Sequence, residues 1–265
     1  MLKVASAKKT KLKEKPSSIF QENFFKEAIQ YKLKNNLNLY FLYYPNKKKH
    51  SKLTKIWHEF WQVLLDGCMK DGYSEKAFRK KINMTKTVLA VDYLLVAGHE
   101  EKVVAFTSGT FITPEVFYLN SSIVKTEHQT RGIGAVITAL LCKKAIEDKI
   151  SSDTKKPYIV CRTRNFNVAS SLLGAFKEGG ISTETVLDNK MKNFFVMLSK
   201  YLNCRYNARL GVAYNVYPNG LVRGIDVKKS RVREALDMLG PRDACYVYGK
   251  LNMKLINFLL KRNIV

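Results

Sequence analysis

The chain has 265 residues, 46% of them hydrophobic, enough apolar material for a substantial core in one large domain or in one domain with extensions. No apolar run approaches the ~20 residues that span a bilayer, and the Lys-studded N-terminus lacks the apolar centre of a signal peptide. A cytoplasmic protein with no membrane span is therefore expected. The formal net charge of +24 attracts polyanions and acidic partners; it admits nucleic acid, which is not the preferred partner because no recognisable nucleic-acid motif accompanies it. Cys68, Cys142, Cys161, Cys204 and Cys245 form no Cys-x-x-Cys pair and the four histidines show no ligand spacing, so neither a metal site nor a disulfide frame is expected.

Residues 1–16 form a lysine-rich tail with too few large apolar side chains to fold alone. An amphipathic helix is predicted over 17–33, where Ser18 and Gln21 suit a capping box and Ile19, Phe20, Phe24, Ala28 and Ile29 make a stripe. Residues 37–44 read as a strand with Leu37, Leu39, Phe41 and Tyr43 on one face. Apolar residues at helical spacing from Leu53 to Leu64 predict a helix over 52–69, and a shorter one is expected over 75–82. Residues 87–97 and 102–112 look like a hairpin joined through Gly98-His-Glu-Glu101, whose charges read as a solvated turn.

Residues 116–124 then form an apolar strand, and Ile133, Val136, Ile137, Leu140, Leu141 and Ala145 recur at helical spacing directly after it. Between them lies Gln129-Thr-Arg-Gly-Ile-Gly-Ala135. Gly132 and Gly134 let backbone approach a ligand closely, and the helical amides from about Thr130 to Ala135 point outward unpaired, which favours an anion. Arg131 adds a fixed positive charge suited to a diphosphate. A dinucleotide fingerprint would need a third Gly and a later acidic residue, and a P-loop would need Gly-Lys-Ser/Thr; neither is present.

Downstream, Lys156-Pro157 breaks the chain and residues 158–163 read as a strand. A helix is expected to open at Asn165 and run past Leu173 and Phe176 until Gly179-Gly180 stops it. Residues 193–198 could close the sheet as a strand. Residues 210–227 read as a hairpin around Pro218-Asn219-Gly220, followed by a helix over 230–239, a strand over 244–248 and a helix over 252–260.

The turn resembles the acetyl-coenzyme A motif of the GNAT superfamily of N-acetyltransferases: Gln or Arg, two residues, Gly, one residue, then Gly or Ala, matched by Gln129, Gly132 and Gly134 with Val124, Glu127 and His128 in the lead-in. The resemblance covers about residues 37–198. It implies an α/β fold with a mixed, mostly antiparallel central sheet flanked by helices, here with a basic N-terminal extension (1–36), an acyltransferase core (37–200) and an extra C-terminal hairpin and helix region (201–265) packed on the core. The implied co-substrate is acetyl-CoA or another acyl-CoA, with no metal, held by Ile123, Val124, Gln129, Thr130, Arg131, Gly132, Ile133, Gly134 and Ala135. Asn165 or Asn167 would add a contact at the next strand, which in the family splays to admit the pantetheine arm; a plain N-cap role explains either Asn equally well.

The implied reaction is direct attack of a primary amine on the thioester, with backbone amides near Ile123 and Val124 supporting the oxyanion. Two departures from the family bear on the chemistry. If Gly180-Ile181 matches the family's Gly-aromatic pair, Phe176 stands where a Tyr often protonates the departing thiolate, and phenylalanine donates no proton. The strand before the turn has no carboxylate between Phe117 and Val124, leaving Glu115 and Glu127 outside it and no clear general base. A protein, peptide or other sizeable amine is the preferred acceptor. The alternatives are transfer of a longer acyl chain and a catalytically impaired basic binding module of the same fold.

Overall fold

The computed structural model describes residues 29–32, 38–44, 57–68, 74–81, 91–99, 102–149, 157–183, 189–216 and 231–263. Two short strands, β1 (Ile29–Lys32) and β2 (Asn38–Tyr44), precede helices α1 (Trp57–Cys68) and α2 (Glu75–Lys81). An antiparallel run follows, β3 (Tyr93–His99), β4 (Lys102–Thr113) and β5 (Val116–Val124). A 3₁₀ turn (Thr126–Arg131) then leads into the long helix α3 (Ile133–Lys149). The second half comprises β6 (Tyr158–Thr163), α4 (Phe166–Ala175), β7 (Phe176–Ile181), α5 (Asn189–Tyr201), β8 (Arg205–Asn207), β9 (Val212–Tyr214), α6 (Arg231–Asp237), β10 (Ala244–Leu251) and α7 (Met253–Asn263).

The strands form one sheet in the order β1-β2-β3-β4-β5-β6-β10-β9-β8, with β7 also on β10. Among the described strands every pairing is antiparallel except β5 with β6. That parallel step is bridged by α3, as a parallel connection requires. Period-two alternation sends side chains to both faces, and both are covered. On one face Leu95, Ala97, Phe117 and Leu119 pack under Ile133, Ile137 and Leu141 of α3, with Leu172 of α4 and Ile256 of α7 in the same cluster. On the other, Phe60 of α1 meets Phe106 edge-on, while Phe195 and Leu198 of α5 cover Val116, Tyr118, Val160 and Tyr246.

Several sequence expectations change here. Ile29 to Lys32, expected as the end of a helix, pairs with β2 as a strand, because the β2 edge supplies backbone partners that local helical spacing cannot outweigh; the rest of that expected helix and the tail lie outside the described residues. The helix expected to run past Phe176 ends at Ala175, and Phe176 begins β7. Gly179 is not a helix stop: it sits opposite Gly249 of β10, and a Cβ on it would lie 2.4 Å from the Tyr248 carbonyl oxygen. Residues 193–198 are helix, not a sheet-closing strand, since Phe195, Leu198 and Ser199 all bury on one side of α5.

The C-terminal region is also not an attachment to a finished core. It contributes β10, which lies between β6 on one edge and β7 with β9 on the other. The first strand of the hairpin expected over 210–227 is seen as β9, paired with β8 and β10, while the turn and second strand of that hairpin fall within residues 217–230, outside the described ones.

Candidate functional site

Strands β5 and β6 are paired from Val116↔Tyr158 to Leu119↔Cys161 and no further, although β5 runs on to Val124 and β6 to Thr163. The last two residues of β6 stay with β10, through Arg162↔Tyr246 and Thr163↔Cys245. The cause lies in β5. Its register with β4 passes from Gly109↔Leu119 to Ser108↔Ser121, so Asn120 is an extra residue, and a bulge bends and twists its strand. The bent half remains fixed to β4 through Thr107 Oγ1 donating to the Ser121 carbonyl (2.8 Å) and the Ser108–Ser121 hydroxyl pair (2.6 Å). Ser122 and Thr138 hydroxyls, 2.7 Å apart, tie it to α3.

The result is a gap between strand ends with one rim of exposed backbone. Lys125 N–H donates to the Val104 carbonyl at 2.9 Å, which makes Ala105↔Val124 a pair of the non-hydrogen-bonded type and Phe106↔Ile123 the bonded type. The Ile123 amide is thus turned to β4, whereas the Val124 N–H faces the gap. The Val124 carbonyl accepts from Gln129 Nε2 at 2.9 Å, and the same nitrogen lies 3.4 Å from the Gly67 carbonyl, so the Gln129 side chain holds the turn against β5 and α1.

The turn itself is more structured than a plain helix start. The 3₁₀ turn takes up Thr130 and Arg131, whose side chains lie outside the described ones, and Gly132 then adopts the left-handed conformation (φ 72°). The first α-helical bond runs from Val136 N–H to the Gly132 carbonyl, so Ile133, Gly134 and Ala135 carry amides with no acceptor within the helix. A Cβ at Gly132 would meet nothing within 4 Å, leaving the approach open, while one at Gly134 would lie 3.3 Å from Val124 Cγ2. The amides of 133–135 therefore stand directly over the end of β5. Three outward amides, an open approach and the helix dipole fit a diphosphate.

Across the gap, β6 leads into α4. Asn165 Oδ1 accepts from Asn167 N–H (2.9 Å) and Val168 N–H (3.2 Å), the geometry of an N-cap, and the Asn165 N–H donates to Thr163 Oγ1. Asn167 is exposed in the first turn. The Phe176 ring lies over the Gly179–Gly249 pair, where a Cβ on Gly249 would come within 2.5 Å of it.

On the α1 side of the turn lies an open cleft of about 630 Å³ lined by His58, Glu59, Gln62, Asp66, Lys102, Lys125, Thr126 and Glu127. Glu59 is fixed there, its Oε2 accepting from Val103 N–H at 2.8 Å and its Oε1 3.5 Å from His58 Nε2. Asp66 accepts from Thr126 N–H, and Thr126 Oγ1 donates back to the Asp66 carbonyl (2.9 Å). Beneath the cleft Glu127 meets His128 at 3.3 Å, and the buried His128 ring stands edge-on to His99 at 5.8 Å. Sequence reading missed His58, Glu59 and Asp66, which repeat along the polar side of α1 and carry no motif. Glu115 lies at the other end of β5, in the turn whose carbonyl accepts from Tyr158 N–H.

Burial pushes the Cys161 thiol up to about 12, against the lowering effect of Arg162, and burial with the nearby Asp66 does the same for Cys68. Neither supplies a thiolate near neutral pH. Among the described residues no group of His, Cys, Asp and Glu could hold a metal ion, and no helix is long and apolar enough to cross a membrane.

No family model and no curated relative matches the chain. Solved structures similar to it include the ribosomal-protein-S18-alanine N-acetyltransferase of Escherichia coli (12% identity over 75% of this chain and 89% of that one, TM-score 0.35). N-Acetylglutamate synthase from Neisseria gonorrhoeae, complexed with coenzyme A and N-acetylglutamate, is 9% identical over 80% of this chain and 35% of that one, with a TM-score of 0.39. Diaminobutyrate acetyltransferase from Paenibacillus lautus, with its substrate and coenzyme A, is 13% identical over 79% and 95%, with a TM-score of 0.32. The strand order, the one parallel junction among the described strands, parting at a bulge, and the glycine turn into α3 make up the mixed, mostly antiparallel α/β fold that the resemblance to the GNAT superfamily implies.

Proposed function

We propose that the protein is an acyl-coenzyme A-dependent N-acyltransferase, acetyl transfer to a primary amine being the simplest form. The observation that carries this reading is a coincidence in space: the β5–β6 gap, the gap-facing Val124 N–H and the outward amides of 133–135 all lie at the C-terminal end of β5. A coenzyme A thioester would lay its diphosphate on those amides and its pantetheine arm in the gap, supplying an activated acyl carbonyl. This chain's residues then orient and polarise. The Val124 N–H supports the oxyanion as the C–N bond forms and the C–S bond breaks.

The acceptor amine would enter from the cleft beside α1. Glu59 is the carboxylate best held in place there to accept the ammonium proton through a water. Phe176 gives the leaving sulfur no proton, so it departs as a thiolate, a fair leaving group, and takes up, directly or through water, the second proton that the nitrogen sheds as the amide forms. The open cleft suits a protein, peptide or other sizeable amine.

Calorimetric titration with coenzyme A tests the reading directly. Gly134→Glu should abolish binding, while Gly134→Ala, which displaces Val124 Cγ2 by only a few tenths of an ångström, should retain most of it. Unchanged affinity in a folded Gly134→Glu protein would refute the proposal. Coenzyme A binding without thioester turnover for any amine would favour the impaired binding module instead.

A further inference from the structure

From Asn189 to Ile225 the sequence contains no Asp or Glu, in a chain that has 22 of them, while Lys190, Lys192, Lys200, Arg205, Arg209 and Arg223 all fall there. The structure places five of these six on α5, at the start of β8 and in the turn to β9. None of the five forms an ion pair with a described residue, whereas lysines elsewhere do, such as Lys143 with Glu147 and Lys250 with Glu178. Arg205 instead lies over the Tyr214 ring at 5.8 Å.

The orientation of α5 is fixed. Phe195, Leu198 and Ser199 bury against the sheet, with Phe195 stacked on Tyr246 at 4.8 Å. The outer side consequently presents Lys190, Asn193, Met197, Lys200 and Tyr201, the last 62% exposed despite its aromatic ring. Asn203, at φ 50°, turns the chain so that Arg205 follows.

From this we infer that the outer side of α5 and the β8–β9 turn form a binding surface for single-stranded nucleic acid. Exposed cations with no ion-pair partner among the described residues, on α5, β8 and the β8–β9 turn, suit a phosphate backbone, and the exposed Tyr201 among them provides a stacking face for a base. Exposed Asn193 and Asn203 offer amides for base edges. An anionic bilayer fits less well, because Met197 and Tyr201 make a single apolar pair flanked by Lys190, Asn193 and Lys200 and form no continuous apolar stripe along α5. None of its residues lines the cleft beside α1 or belongs to the glycine turn, and unlike the N-terminal tail it combines charge with an aromatic ring.

The test uses the full chain and a fluorescently labelled, mixed-sequence single-stranded RNA, with anisotropy titrations over a series of salt concentrations. Lys190→Glu with Lys200→Glu should weaken binding at least tenfold and flatten the log–log salt slope by about 1.4, two phosphates at about 0.7 each. Tyr201→Ala should weaken it about fivefold or more with the slope unchanged. Both variants alter exposed side chains, so thermal midpoints and coenzyme A affinity should stay as in the wild type. The inference is overturned if the wild type does not bind RNA, if neither variant changes binding while removal of residues 1–16 abolishes it, or if the protein binds phosphatidylserine vesicles and not RNA.

Discussion

Glu59 faces two demands at once, since the carboxylate that accepts from Val103 N–H is also the one assigned the ammonium proton. Glu59→Gln separates them. The amide oxygen can still accept from Val103, so the fold should hold, but turnover should fall by ~10²–10⁴ with coenzyme A affinity unchanged. Turnover like that of the wild type would reduce Glu59 to a pin for β4. Phe176 gives the opposite expectation. Because its ring is spent covering Gly179 and Gly249, Phe176→Tyr should bring no gain in kcat; a large gain in steady-state assays would mean that the position reaches the leaving sulfur after all.

Among the elements, β10 carries the greatest burden, holding β6 on one edge and β7 and β9 on the other. Its close approach to β7 depends on having no side chain at Gly249, where a Cβ would lie 2.5 Å from the Glu178 carbonyl oxygen. Gly249→Ala should therefore destabilise the protein by roughly 1–3 kcal/mol, read as a lower urea midpoint. Helix α5 is fastened to the same strand by Tyr246, whose hydroxyl lies 2.6 Å from Ser199 Oγ with both residues buried. Tyr246→Phe keeps the ring stacking but leaves the Ser199 hydroxyl without that partner, at a cost of about 1–3 kcal/mol by the same measurement.

At the scale of the whole molecule, several acids are held neutral by the core. Burial pushes Cys142, Cys161 and the Tyr118 phenol up to about 12, from ordinary values of 9.0 for the thiols and 10.0 for the phenol. Their folded pKa values exceed the unfolded ones, so between these limits the unfolded chain has lost protons that the folded chain keeps. Stability from these groups is fully present below about pH 9 and declines as pH rises towards 12. Urea midpoints should be flat to about pH 9 and then fall; a midpoint that holds to pH 11 would contradict the burial assigned to these groups. The same protonation predicts that Cys142 and Cys161 resist thiol reagents at pH 8 until the protein is unfolded.

The strand of residues 116–124, the turn after it and the helix α3 were legible in the sequence because their signals are local: an apolar β-prone run, Gly132 and Gly134, then apolar residues at helical spacing. The resemblance to acetyltransferases rests on that same short stretch, and so did the expected gap. What local signals could not convey was decided by contacts between residues far apart in the chain. The glycines at 179 and 180 look like a helix stop until Gly249, seventy residues on, is found opposite Gly179. Residues 193–198 are equally apolar as strand or helix until Tyr246 provides a ring for Phe195 to stack on. The cleft likewise exists only because α1 lies against the end of β5, bringing Glu59 and Asp66 to Lys125 and Glu127. Glycines and periodicity determined the elements and the glycine turn, whereas register across β10 and the docking of α1 and α5 fixed which side chains meet.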